Sequence, residues 1–189
     1  SYVWNTAATT AAITVSPTGN TTYSVTVTDA NNCSASTSRI VNVNPAPVVS
    51  VNPSSTAICS GATTTLSASA ANSYAWSNGS TTQNIAVSPA STTTYTVTAF
   101  DQNNCSATAS ASITVNQGPT AAITPAVVAI CAGNSTTLTA SGGTSYLWND
   151  NSTNAVLNVS PSGTSTYSVT VTAANNCTAS ASRTVTVNP

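Results

Sequence analysis

The chain has 189 residues with two Arg, three Asp and no Lys, Glu or His, giving a formal charge of −1. Arg39 and Arg183 alone cannot build a basic surface, so the composition excludes nucleic-acid binding. General acid–base catalysis has only Asp29, Asp101 and Asp150 to draw on, and the many Ser have no His to activate them. The chain therefore reads as no enzyme, with no catalytic residue, cofactor or metal.

In chain order, the first recognisable element is Ser1-Tyr2-Val3-Trp4. It returns as Ser73-Tyr74-Ala75-Trp76 and as Ser145-Tyr146-Leu147-Trp148, 72 residues apart each time. Laid together without gaps, residues 46–117 and 118–189 are identical at 33 of 72 positions. A fixed period marks a structural module. This one is too long for a solenoid turn and suits a small sandwich that buries its own core. The expected domains are a partial unit at 1–45 that lacks its first two strands, then whole units at 46–117 and 118–189.

Thr22 to Thr28 alternates apolar and polar residues at period two, as a half-buried strand does. Its copies are Thr94–Thr98 and Thr166–Thr172. On the strand after it, Ala107, Ala109, Ala111, Ile113 and Val115 share one face. Further strands are expected at Val48–Asn52, Thr63–Ala70, Ser73–Ser77 and Asn84–Ser88. Pro53, Asn78-Gly79, Pro89 and Asn103-Asn104 mark the turns. Six or seven short strands per unit predict an all-β chain of tandem antiparallel β-sandwich domains, 72 residues each.

Trp4, Trp76 and Trp148 fall on one strand of each unit, and Tyr23, Tyr95 and Tyr167 near the start of another. Rings at fixed places in a strand pattern are expected to anchor the core; the alternative is a sugar-stacking platform. Arg39 and Arg183 lie on the apolar parity of the last strand, where the middle unit has Ala111. A bulge or an edge position is expected to let them reach water.

The five cysteines obey the period: Cys33, Cys105 and Cys177 form one set, Cys59 and Cys131 the other. Two pairing schemes are open. Cys59–Cys105 and Cys131–Cys177 would close within units, whereas Cys33–Cys59 and Cys105–Cys131 would cross the linkers. Cys105 lies a strand before a linker and Cys131 a strand after it, farther apart than the ~7 Å between Cα atoms that a disulfide permits. Pairing within units is therefore expected, with Cys33 left over. Disulfides imply an oxidising, extracellular setting. No C-x-x-C pair is present, so zinc is not expected.

"TTYSVTVTDANNCSAS", "SYAWSNGSTTQNIAVSP" and "ICSGATTTLSAS" resemble the Ig-like or PKD-like repeats of large secreted surface proteins common in Bacteroidota, including gliding-motility and other giant adhesins. The resemblance covers the whole chain. It implies an Ig-like sandwich and a secreted or cell-surface location, and no catalytic residue. The Trp–Asp–Gly stretch of PKD units is degenerate here, at Trp76-Ser77-Asn78-Gly79 and Trp148-Asn149-Asp150-Asn151.

Asp29-Ala30-Asn31-Asn32 and Asp101-Gln102-Asn103-Asn104 gather oxygens at a turn. One Asp per site is poor for calcium and the third copy has Ala173, so an Asx turn is expected. N-x-S/T sequons occur at Asn20, Asn32, Asn78, Asn104, Asn134, Asn151, Asn158 and Asn176, as a chain this rich in Ser, Thr and Asn produces by chance. No apolar run approaches 18 residues, so no membrane span is expected in this segment. The first residue is Ser and no signal peptide is present, so a mature product or a piece of a longer chain is expected. Because the first unit lacks its two opening strands and its first cysteine, the sequence reads as a window from a longer repeat array, with strand donation by another chain as the rival account. The functional expectation is a structural segment forming a stalk or a self-assembling surface filament. An adhesin or carbohydrate-binding module, with surface glycans as partner, is the alternative.

Overall fold

Thr, Val, Tyr and Ile recurring at period two, broken by Asn, Gly and Pro, give strands throughout and no helix. A computed structural model describes residues Ser1–Pro189. Residues 1–45 carry β1 (Tyr2–Trp4), β2 (Thr21–Thr28) and β3 (Ser34–Val41). Residues 46–117 carry β4 (Val51–Pro53), β5 (Ala57–Cys59), β6 (Thr64–Ala68), β7 (Ser73–Trp76), β8 (Asn84–Val87), β9 (Thr93–Phe100) and β10 (Ser106–Asn116). Residues 118–189 repeat that set as β11 (Ala122–Thr124), β12 (Val128–Cys131), β13 (Thr136–Ser141), β14 (Ser145–Trp148), β15 (Val156–Val159), β16 (Ser165–Thr172) and β17 (Thr178–Asn188).

Each seven-stranded set forms an Ig-like sandwich of a three-stranded and a four-stranded sheet. The orders are β4-β6-β8 with β5-β10-β9-β7, and β11-β13-β15 with β12-β17-β16-β14. The sheets are antiparallel as expected, with one parallel pairing added in each sandwich. β5 pairs in parallel with β10, bringing Cys59 level with Asn116, and β12 pairs in parallel with β17, bringing Cys131 level with Asn188. The chain crosses from one sheet to the other between β4 and β5, so the second short strand meets the far edge in the opposite sense.

Two separate apolar cores result. One contains Leu66, Trp76, Ile85, Val97 and Ile113, the other Leu138, Trp148, Leu157, Val169 and Val185. At roughly 1.5–3 kcal/mol for each large apolar side chain removed from water, either set is enough to hold a sandwich of this size together. Residues 1–45 have no such core, and none of them is buried. Their three strands form a single sheet, β1-β2-β3, matching β7, β9 and β10. The segment that would face this sheet carries three strands in the other copies, β4 to β6 and β11 to β13, not the two expected. The short β5 and β12 lack a legible alternation.

Candidate functional site: the junction between units

The long strand β10 ends at Asn116, and β5 ends beside it at Cys59. This is the pole of the middle unit from which the chain passes to the last one. The opposite pole of the last unit is the turn from β16 to β17, which holds Cys177. The two poles meet, and Cys59 is bonded to Cys177 with Cα atoms 5.6 Å apart. Cys177 is 1% exposed, so the bond lies in a closed contact.

This corrects both the pairing within units and the alternative across linkers. Cys59 and Cys105 sit at opposite ends of β10, and eleven residues at ~3.3 Å each separate them by roughly 35 Å. Cys131 and Cys177 are separated in the same way by β17. Cys33, Cys105 and Cys131 are free thiols, of which Cys33 and Cys131 are exposed and Cys105 is half-buried. The signal missed in the sequence is the spacing from one unit's first cysteine to the next unit's turn cysteine, a separation of 118 residues.

A second contact reinforces the junction. Where the other units have Asp29 and Asp101, the last unit has Ala173, and Asn175 takes over the turn. Its Oδ1 accepts from Cys177 N at 3.1 Å while its Nδ2 donates to Gln117 O, across the junction, at 3.0 Å. In the other two turns the Asp caps instead. Asp29 Oδ1 accepts from Asn31 N and Cys33 N, both at 2.8 Å. Asp101 Oδ1 accepts from Asn103 N and Cys105 N at 2.8 and 2.9 Å. These are Asx turns, each closed by an Asn at positive φ: Asn32, Asn104 and Asn176.

The boundary between the first and middle units repeats half of this arrangement. Cys105 Sγ lies 3.9 Å from Asn44 O, as Cys177 Sγ lies 3.9 Å from Asn116 O. No second cysteine stands beside Cys105. The sheet of the first unit faces an open groove of about 410 Å³ bounded by Trp4, Ile13, Val15, Tyr23, Val25 and Arg39.

Trp76 and Trp148 are 4% and 1% exposed, and Trp4 is half-buried. In every unit the indole Nε1 donates to the carbonyl six residues on: Thr10, Thr82 and Asn154 at 2.8, 2.8 and 2.9 Å. Tyr95 and Tyr167 pack half-buried at the core margins, while Tyr23 lies on the groove. Arg183 does not turn out to water as expected. Its Nη1 donates to Ala126 O and its Nη2 to Ile123 O at 3.1 Å, capping the chain where it crosses between sheets. Asp150 is held below the usual carboxylate range, because the Ser152 hydroxyl and the Ser152 N–H both donate to it.

No protein-family model and no curated protein matches the chain. Among solved structures, it is similar to the three N-terminal domains of the bacteriophage RB49 highly immunogenic outer capsid protein (Hoc). That match has 18% identity and a TM-score of 0.39 over 74% of this chain, which spans 58% of the other. A Ca2+-stabilised adhesin with which an Antarctic bacterium binds ice is 17% identical over 89% of this chain and 57% of its own, with a TM-score of 0.44. A 1.5-MDa bacterial ice-binding adhesin, in a structure of its host-cell surface retention, is 15% identical over 88% of this chain and 74% of that one, with a TM-score of 0.34. These likenesses concern the fold alone.

Proposed function

We propose that the chain is a non-catalytic, extracellular structural segment: Ig-like units 1–45, 46–117 and 118–189 in tandem, forming a stalk or a self-assembling surface filament. The observation that carries this reading is the Cys59–Cys177 bond. It ties two units that each have their own core, so it serves their relative placement and not the fold of either. A covalent tie between poles suits a chain that transmits length or load. It also belongs in an oxidising compartment, outside the cytosol.

The surface supports the same reading. Charged side chains amount to 3% of the residues, so neighbouring copies have few charges to desolvate or repel. The alternative of a glycan-binding module asks for rings in an accessible row, and Trp76 and Trp148 are spent in the cores. Non-reducing peptide mapping joined to electron microscopy tests the proposal. A Cys59–Cys177 linkage in regular filaments is the expected result. A linkage within one unit, or free single chains that bind a glycan array, sinks it.

A further inference from the structure

We infer that the Asn78-Gly79 turn is a site of spontaneous deamidation, at which the Asn78 side-chain amide becomes a carboxylate, and that the product inside the fold is aspartate and not isoaspartate. This is a covalent modification of the middle unit, and it does not rest on the structural role proposed above.

The turn after Trp76 brings the reacting atoms together. Asn78-Gly79 is the only Asn-Gly pair in the chain, and both residues are exposed. Asn78 Oδ1 accepts from Ser80 N at 3.1 Å, which folds the side-chain amide back over the following backbone. This Asx turn carries Cγ toward Gly79 N, the nucleophile of the reaction. Gly79 sits at φ 85° with no atom within 4 Å of the place a Cβ would take, so no neighbour crowds the ring that must form.

The steps balance with water as the only co-reactant. Gly79 N gives up its proton and attacks Asn78 Cγ, a C–N bond forms, and the side-chain nitrogen leaves as ammonia. The result is a five-membered succinimide. Water then opens the ring. Cleavage of the Cγ–N bond restores the main chain and leaves aspartate, whereas cleavage at the main-chain carbonyl leaves isoaspartate. Negative charge develops on Oδ1 during the attack, and the Ser80 N–H already donates to that oxygen, so the turn stabilises the step. Gly79 N donates to Trp76 O at 2.9 Å and must release that bond first, which holds the rate below that of an open peptide. Every other Asn is followed by a residue whose Cβ crowds the ring. At Asn151, in the equivalent turn, the next N–H is also held, by Asp150 Oδ1.

The last unit displays the product's surroundings. Asp150 stands where Asn78 does, in a turn closed by the same two bonds. Trp148 N donates to Ser152 O at 2.9 Å and Asn151 N to Trp148 O at 3.0 Å, matching Trp76 N to Ser80 O and Gly79 N to Trp76 O, both at 2.9 Å. Asp150 Oδ1 accepts from Ser152 N at 2.9 Å and from the Ser152 hydroxyl at 2.7 Å. Ser80 offers residue 78 the same two donors, and its hydroxyl, 3.1 Å from Thr82 Oγ1, needs only to rotate. An aspartate at 78 thus keeps the turn, its cap and the Trp76 indole bond to Thr82 O. Isoaspartate adds a methylene to the main chain between Trp76 and Ser80 and breaks that register. Ring opening within the fold is steered to aspartate, which adds one negative charge to a chain whose formal charge is −1.

The test holds the whole chain in mildly alkaline buffer and follows timed samples by chymotryptic peptide mapping, with electron-transfer fragmentation to separate aspartate from isoaspartate. The expected result is the mass gain of an amide turned to an acid at Asn78, about tenfold faster than at any other Asn, because only here does no Cβ crowd the ring. Aspartate should be the main product in the folded chain, and isoaspartate in a free peptide of residues 73–82. Gly79→Asn should slow the conversion at 78 about tenfold. That variant keeps the turn, because the last unit carries Asn151 there at φ 68°. Faster conversion at another Asn, isoaspartate as the main product in the folded chain, or a Gly79→Asn rate equal to that of the parent each overturns the inference.

Discussion

Trp148 joins the two sheets of its unit through its ring and closes its own turn through its indole N–H to Asn154 O. Trp148→Ala should cost about 3–5 kcal/mol, chiefly through the cavity left in the core. Chemical denaturation followed by hydrogen exchange in β13–β17 measures it, and the middle unit should keep its stability. The turn after each Trp carries a second residue-scale test. The left-handed position is Gly79 in the middle unit and Asn151 in the last, but Ala7 in the first, at φ 65°. A Cβ there is strained by roughly 1–2 kcal/mol, so Ala7→Gly should strengthen this turn by about 1 kcal/mol, read as slower exchange of the Trp4 amide, which donates to Ala8 O, and of the residue-7 amide, which donates to Trp4 O. Asp150 gives a pH dependence of known sign. Its folded pKa is lowered, so its contribution is present above the ordinary carboxylate pKa and is lost as pH falls through the lowered value. Asp150→Asn should remove that acid-side slope and, with it, the contribution present at neutral pH. Acid titration by NMR should place Asp150 below the ordinary carboxylate range.

At the scale of elements, the long strands were legible because their alternation runs for many residues. Thr22–Thr28 and its copies lie within β2, β9 and β16, and the Ala107 to Val115 face lies on β10. The three-residue strand β5 was not legible: Ala57-Ile58-Cys59 shows too little alternation, and its parallel partner is supplied by a strand about 57 residues on. That omission also hid the junction. Without β5 at the far pole, nothing in the sequence keeps Cys59 from the turn at Cys105. The role of Arg183 was hidden for a related reason, since the carbonyls it caps lie on the three-residue strand β11 and in the irregular crossing after it, which no pattern marks. The junction itself yields a prediction. A bond spanning 118 residues would be worth ~4–5 kcal/mol by loop closure if the chain folded as one unit. The two cores close independently, so replacing Cys59 and Cys177 together by Ser should cost either unit no more than about 1 kcal/mol. The large effect should appear in orientation. Small-angle scattering of the double variant should show a broader distribution of lengths, with two thermal transitions close to those of the parent. Collapse of either core would show that the bond serves the fold.

Over the whole molecule, the outward strand faces are hydroxyl rows. Thr26 meets Ser36 at 2.8 Å, Thr166 meets Thr184 at 2.9 Å, and Thr170 meets Ser180 at 3.4 Å, all across strand pairs and all exposed. Such rows hydrogen-bond readily to a neighbouring copy and carry no charge to repel it. Small soluble domains usually keep a net charge of magnitude ~2–8 to stay dispersed, whereas this chain has −1 across its whole length. No Lys stands on any sheet edge to block pairing. A tandem array presents the same patch at each period, so weak contacts add along its length once the units are held in fixed relation. The Cys59–Cys177 bond fixes that relation at one junction. The expected outcome is lateral or end-to-end packing into a regular fibre through polar, uncharged contacts. The fibre should persist in molar salt, because screening acts on charges the contacts do not use. It should lose regularity on reduction, when the junctions loosen, even though each sandwich stays folded. Sedimentation and electron microscopy across salt and reductant series measure this. Monodisperse chains at micromolar concentration and neutral pH would refute it, and dissolution by salt alone would show that the five charged side chains govern association.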